Sequence, residues 1–241
     1  RLRPMPVPRR YHLDLPLMSN TATIVQTFAV YAIPVLLAIT LHEASHAYAS
    51  WYLGDDTARS LGRVTLNPFM HVDPLGTIVM PLLLYFGTGG SFVFGYAKPV
   101  PVQAHLLRNP RRDMALVALA GPGSNVLQAI AWMAVGHVLP VLGMQPYEFF
   151  PRVCQAGVLA NLVMFAFNLF PMLPLDGGRI LAGLLPPQWA ARFSRIEPFG
   201  FYIVMALVMM RVITTWWMLP VIAGTLYVIE VLLLPLRFLL S

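Results

Sequence analysis

Cysteine is almost missing from this chain of 241 residues, where Cys154 stands alone. One cysteine supports neither a disulfide framework nor a thiolate-based zinc site, so any metal has to be held by histidine and carboxylate. Cys154 itself reads as a packing residue. Charge is scarce as well. Asp, Glu, Lys and Arg together make up 11% of the sequence, where soluble domains usually carry about 25%. Against this stand 58% hydrophobic residues and a mean hydropathy of +0.68, which exclude an ordinary soluble domain and imply an integral membrane protein. Lys98 is the single lysine, so the net charge of +6 rests on arginine. No basic stripe with interleaved aromatics accompanies it, and nucleic acid is not an expected partner. The excess is better read as topology and as contact with anionic headgroups of the lipid bilayer. Residues 1–23 hold four Arg and four Pro but no short apolar core leading to a small-residue cleavage site. They read as a polar N-terminal tail rather than a signal peptide.

What is abundant is apolar sequence in long runs. A membrane-crossing helix needs about 20 such residues. Runs of that order cover 24–53, 113–141, 153–172, 198–218 and 220–240, and Asp55-Asp56 stops the first. Pro220 falls between the last two and predicts a tight helical hairpin there. Arg211 and Glu230 would then reach comparable depth on neighbouring helices and form an ion pair. A sixth stretch, 75–86, contains Pro81 and is short enough that a partly embedded segment competes with a true span. Residues 91–102 mix β-favouring side chains with Gly and Pro, which suggests edge strand. The expected fold class is an all-α polytopic membrane protein of five to six transmembrane helices with a short membrane-associated β segment.

The most specific local pattern is His42-Glu43-Ala44-Ser45-His46, directly after an apolar run. Residues i and i+4 share a helix face, so both imidazoles can address one zinc ion while the glutamate beside them reaches a water on its open position. This is the H-E-x-x-H arrangement of zinc hydrolases, with Glu43 as the general base. Catalytic zinc takes three protein ligands, so a partner must come from elsewhere. Asp176 is the best candidate, in Asn168-Leu169-Phe170-Pro171-Met172-Leu173-Pro174-Leu175-Asp176-Gly177-Gly178. Two prolines interrupt a helix there, and the paired glycines permit close backbone approach. The competing reading of Asp176 is an exposed cap on the helix that follows. Ala120-Gly121-Pro122-Gly123-Ser124-Asn125 begins another apolar helix with small residues suited to close packing. Asn125 is compatible with two roles: a donor to a substrate carbonyl or developing oxyanion, or an interhelical hydrogen bond without catalytic part. His12, His71, His105 and His137 have no ligand spacing.

With these residues in view, the chain resembles the site-2 protease family of intramembrane zinc metalloproteases, in its compact bacterial form without a PDZ or CBS domain. The resemblance rests on HEASH (42–46), AGPGSN (120–125) and NLFPMLPLDGG (168–178) in that order. NPFMHVDPLGT (67–77) and GYAKPVPV (95–102) support it. It implies one zinc per chain bound by His42, His46 and Asp176, with Glu43 activating water. It also implies that Asn125 and Asn168 face substrate or transition state, and that the partner is the transmembrane segment of another membrane protein. On this reading residues 24–241 form one transmembrane protease domain, with 24–180 the catalytic core and 181–241 the C-terminal helices. The protein would lie in the cell (inner) membrane with its active site toward the cytoplasm, beside Arg59, Arg63, Lys98, Arg108, Arg111 and Arg112. The function of another class that shares these features is a transporter or metal permease using intramembrane His and Asp.

Overall fold

A computed structural model describes residues 21–87, 95 and 98–240. The chain opens with helix α1 (Thr21–Tyr52), whose Pro34 lies inside the helix. The short α2 (Thr57–Ser60) follows, and then α3 (Met80–Gly87), entered through a wider π-type turn at Pro74–Val79. Helix α4 (Pro110–Val138) begins with proline at its first turn, where a missing N–H costs nothing. Asp113 one turn on accepts from the Asn109 backbone N–H at 2.8 Å, fixing the point of entry. Next come α5 (Phe149–Asn168), α6 (Asp176–Leu184), α7 (Pro187–Ser194), α8 (Glu197–Met209), α9 (Leu219–Leu232) and α10 (Leu234–Leu239).

Helix α4 is the centre of the packing and touches α1, α5 and α6. Small residues make this closeness possible. A Cβ added at Gly157 of α5 would come within 2.4 Å of the Trp132 ring, so that glycine seats the indole of α4 against the α5 backbone. Val30, Val153 and Ala156 form one buried cluster with Trp132, and Ala129, Leu162 and Ile229 form another. Away from these seams, Phe28, Ile33, Leu36, Leu119, Leu127 and Val163 are exposed on the long helices. Apolar side chains facing outward along helices of spanning length are what a lipid-facing surface requires.

Among the described residues, four helices are long and apolar enough to cross a membrane: Val25–Tyr52, Pro110–Val138, Phe149–Asn168 and Thr214–Leu232. The first three lie within a few residues of the runs read from the sequence. The count of five to six is not reached, for two reasons. Helix α8 has only 13 residues, and the helical stretch 74–87 is about 21 Å long at 1.5 Å per residue, short of a hydrocarbon core of about 30 Å. Half of the expected β segment at 91–102 falls on residues outside those described; the other half, 95 and 98–102, is not strand, and among the described residues there is no strand. The tail expected over 1–23 also lies largely outside them, and Thr21 already belongs to α1.

The C-terminal region departs from expectation. The chain does not turn at Pro220 but at Met210-Arg211, where Arg211 adopts φ 59°. The polypeptide then runs helically from Val212 through a π-type turn, Thr214–Met218, into α9 with Pro220 near its start. The wider turn absorbs the hydrogen bond that proline cannot donate, so the ring is carried inside a continuous helical run. Arg211 therefore stands just before the run that carries Glu230, 19 residues on or about 28 Å away at the helical rise. The expected ion pair between them does not form.

Candidate metal centre

His42 and His46 project from one face of α1, both buried. Their Nε2 atoms are 3.1 Å apart, with the rings edge to face at 88°. Asp176, the first residue of α6, brings Oδ2 to 3.3 Å from each Nε2. The structure thus unites His42, His46 and Asp176, one ligand atom from each lying within 4.8 Å of the others.

Local sequence explains the convergence. Leu169 to Leu175 folds back over the first turn of α6, and Pro171 and Pro174 keep that segment out of helix. A Cβ at Gly177 would stand 2.1 Å from the Leu169 carbonyl oxygen, and one at Gly178 would stand 2.3 Å from Leu173 N. Only glycine fits beneath the turn, and the pair lets the backbone present Asp176 inward. The helix face opposite is cleared in the same way. A Cβ at Gly121 of α4 would come 2.3 Å from His46 Nε2 and 2.7 Å from His42 Cε1. The two imidazoles rest on bare α4 backbone.

The protonation of the rings follows from their other nitrogens. His46 Nδ1 is 2.7 Å from the Val117 carbonyl, which can only accept, so Nδ1 carries the hydrogen. His42 Nδ1 is 2.7 Å from Asn125 Oδ1. The Asn125 Nδ2 group is already committed to Asn161 Oδ1 at 2.9 Å and the Ala38 carbonyl at 3.3 Å. Its oxygen is therefore the atom that faces the imidazole, and His42 donates from Nδ1. Both Nε2 lone pairs then point at Asp176 Oδ2, which is buried and has no hydrogen-bond donor. Three acceptor atoms converge where burial makes an unpaired carboxylate oxygen costly. A divalent cation of the zinc type, which favours imidazole nitrogen and carboxylate oxygen, fits this donor set.

Asn125 makes interhelical hydrogen bonds. The amide is fully buried and joins α1, α4 and α5 while orienting a histidine from behind. Asn161, whose own Nδ2 donates to the Gly157 carbonyl at 2.9 Å, completes the chain and was not singled out from the sequence. Its signal was available: an amide in the middle of an apolar run. Asn168 does not join this chain of amides. Its Nδ2 donates to the Met164 carbonyl one turn back at 3.1 Å, and no hydrogen bond links it to His42, His46 or Asp176 among the described residues.

Glu43 is half-buried, and its Oε2 accepts the backbone N–H of Val100 at 3.1 Å. The segment holding Val100 is tied down on both flanks. On one side Lys98 N donates to the His71 carbonyl at 3.0 Å. On the other, Gln103 N donates to Asp55 Oδ2 at 2.7 Å, and Thr57 N to Asp55 Oδ1 at 3.0 Å. Burial alone would raise the Asp55 carboxyl. The Thr57 and Gln103 hydrogen bonds and the nearby His105 outweigh it and hold the group below its ordinary range. Asp55, expected only as a helix stop, also fastens the end of α1 to this strap.

No family model and no solved structure matches the chain. Individual proteins do. Over 179 residues the chain is 38% identical to "Putative zinc metalloprotease YwhC" of Bacillus subtilis (strain 168), covering 73% of this chain and 78% of that one. It is 28% identical over 182 residues to "Putative zinc metalloprotease Rip2" of Mycolicibacterium smegmatis, covering 76% and 67%. It is 27% identical over 186 residues to the Rip2 of Mycobacterium tuberculosis (strain ATCC 25618 / H37Rv), with the same coverage. With more than a third of the aligned positions shared with YwhC, and two buried histidines on a helix of spanning length meeting a carboxylate at the start of α6, the chain belongs to this family of zinc metalloproteases.

Proposed function

We propose that this protein is an intramembrane zinc metalloprotease of the site-2 type, which cleaves transmembrane segments of other membrane proteins. The observation that carries the reading is the acceptor-only cluster of His42, His46 and Asp176, whose two histidines are buried on a helix that is itself long enough to span. A hydrolase for soluble peptides has no need to sink its ligands there. An apolar groove of about 590 Å³ runs beside the histidine helix between α1 and α4, lined by Leu41, Ala44 and Tyr48 on one side and by Gly123, Ser124 and Leu127 on the other. Small residues at such a seam let a substrate helix come close.

His42, His46 and Asp176 would hold the zinc. When bound, the metal supplies Lewis acidity toward a peptide carbonyl and lowers the pKa of water. Glu43 Oε takes a proton from the attacking water and returns it to the departing amide nitrogen. Asn125 and the Val117 carbonyl keep both rings in the tautomer that turns Nε2 inward. The location we propose is the cell (inner) membrane, with the site toward the cytoplasm. In support, the link from the end of α1 to the start of α4 carries Arg59, Arg63, Lys98 and Arg108, and Arg111 and Arg112 open α4.

The test measures zinc per chain and cleavage of a model transmembrane peptide in liposomes. Wild type should hold one zinc and cleave. His46→Ala and Asp176→Ala should lose both, and Glu43→Ala should keep zinc and lose cleavage. Glu43→Ala with normal turnover, or zinc transport across the liposome without cleavage, would reject the protease in favour of another use of the same ligands.

A further inference from the structure

Pro99-Val100-Pro101 contains a single backbone donor, because neither proline carries an N–H. That donor is spent on Glu43 Oε2 at 3.1 Å. The strap is held in place by an unusual anchor. Arg63 is buried, and no carboxylate pairs with it among the described residues. Its guanidinium instead donates to three carbonyls: Met70 from Nη1, and Lys98 at 2.5 Å and Pro99 at 3.3 Å from Nη2. A buried cation without an anion is expensive, and spending it on the two carbonyls immediately before Val100 needs a reason.

We infer that Val100 is a positioning residue for Glu43, acting through its N–H, and that Arg63 positions Val100. The inference rests on the proteolytic reading of Glu43 given above. One carboxylate oxygen is occupied and fixes the side chain; the other is left for the proton that catalysis moves. A general base confined to one orientation before substrate arrives avoids reorganisation during the reaction. The alternation of proline and valine makes the contact selective, since no neighbouring amide within the triad can take over if the strap slides by one residue. Neither Val100 nor Arg63 touches the reacting atoms, so a loss at either should appear in turnover rather than in metal or substrate binding.

The experiment uses the full chain, zinc-loaded, in lipid nanodiscs. Exchange of the Val100 amide is followed by NMR with 15N-valine labelling, beside zinc content, kcat and KM on a model transmembrane peptide. Val100→Pro deletes the donor, and Val100→Ala keeps it and sets the reference for the lost side chain. Val100 should exchange at least about tenfold more slowly in wild type than in Glu43→Ala. Val100→Pro should have kcat about tenfold or more below Val100→Ala, with KM within about twofold and zinc retained. Arg63→Met should lose both protection and kcat, Arg63→Lys should recover part of each, and Arg63→Met combined with Val100→Pro should be no slower than Val100→Pro alone. Equal exchange in wild type and Glu43→Ala, or equal kcat in the two Val100 variants, would overturn the positioning role alone. A wild type without zinc or cleavage would overturn the proteolytic reading, and the positioning role with it.

Discussion

Asn125 Oδ1 lies 2.7 Å from His42 Nδ1, and Asn125 Nδ2 lies 2.9 Å from Asn161 Oδ1. A buried amide on α4 therefore sets the hydrogen position of a histidine on α1 and is itself held by α5. Partners behind a metal-binding imidazole commonly govern affinity by about 10–100-fold. Asn125→Leu should weaken zinc by about that factor, measured by competition with a chelator of known affinity. Asn161→Leu should follow it at a smaller loss, because Asn125 would keep its bond to the Ala38 carbonyl.

Gly121 is occupied in a different sense, since the space above its Cα belongs to the rings. Gly121→Ala places a methyl 2.3 Å from His46 Nε2 and forces α1 and α4 apart. Overpacking of this kind costs about 1–3 kcal/mol. Zinc content should fall well below one per chain while helix content, read by circular dichroism, is kept. Gly123→Ala, where an added Cβ meets nothing within 4 Å, should retain zinc.

Asp55 makes the strap sensitive to acid. Its carboxyl is held below its ordinary value in the folded chain, so its contribution is fully present above the unfolded value near pH 4. It is lost as the pH falls through the lowered folded one. Hydrogen exchange at Gln103 should speed up over that interval. Asp55→Asn should exchange faster already at neutral pH, at a stability cost of about 1–2 kcal/mol for a weakened charge-assisted pair.

Arg211 and Glu230 should behave independently. They are about 28 Å apart, with Arg211 at the turn before the helical run that carries Glu230, and their effects on thermal stability should add within about 0.5 kcal/mol in a double-mutant cycle. Arg211 occupies the left-handed turn at φ 59°, so Arg211→Gly should be neutral or stabilising by up to about 1 kcal/mol.

The sequence was most readable where spacing carries geometry. The i, i+4 histidines imply a shared face whatever surrounds them, and three long apolar runs have the length of the bilayer. Asp176 could be singled out because two prolines and two glycines flank it. Other features leave weaker traces. Pro220 looks like a breaker, but a wider turn two residues earlier takes up the lost hydrogen bond, and the helix breaks at Met210-Arg211 instead. The grip of Val100 on Glu43 and of Val117 on His46 is made by backbone atoms, which every residue possesses and no side-chain pattern advertises. Arg63 reads as one more basic loop residue until its three carbonyl partners are seen.

Both imidazoles are gripped from α4, one through the Val117 carbonyl and the other through Asn125, eight residues further along. Turning α4 by a single residue would swing those two grips by about 100° and release both rings together. Helices α1 and α4 are thereby geared to each other and can shift only as one body. The groove between α1 and α4 accordingly keeps a fixed width, and any widening for a bulky guest falls to another seam, such as the join with the C-terminal run, where Trp217 Nε1 reaches the Ala166 carbonyl at 2.8 Å.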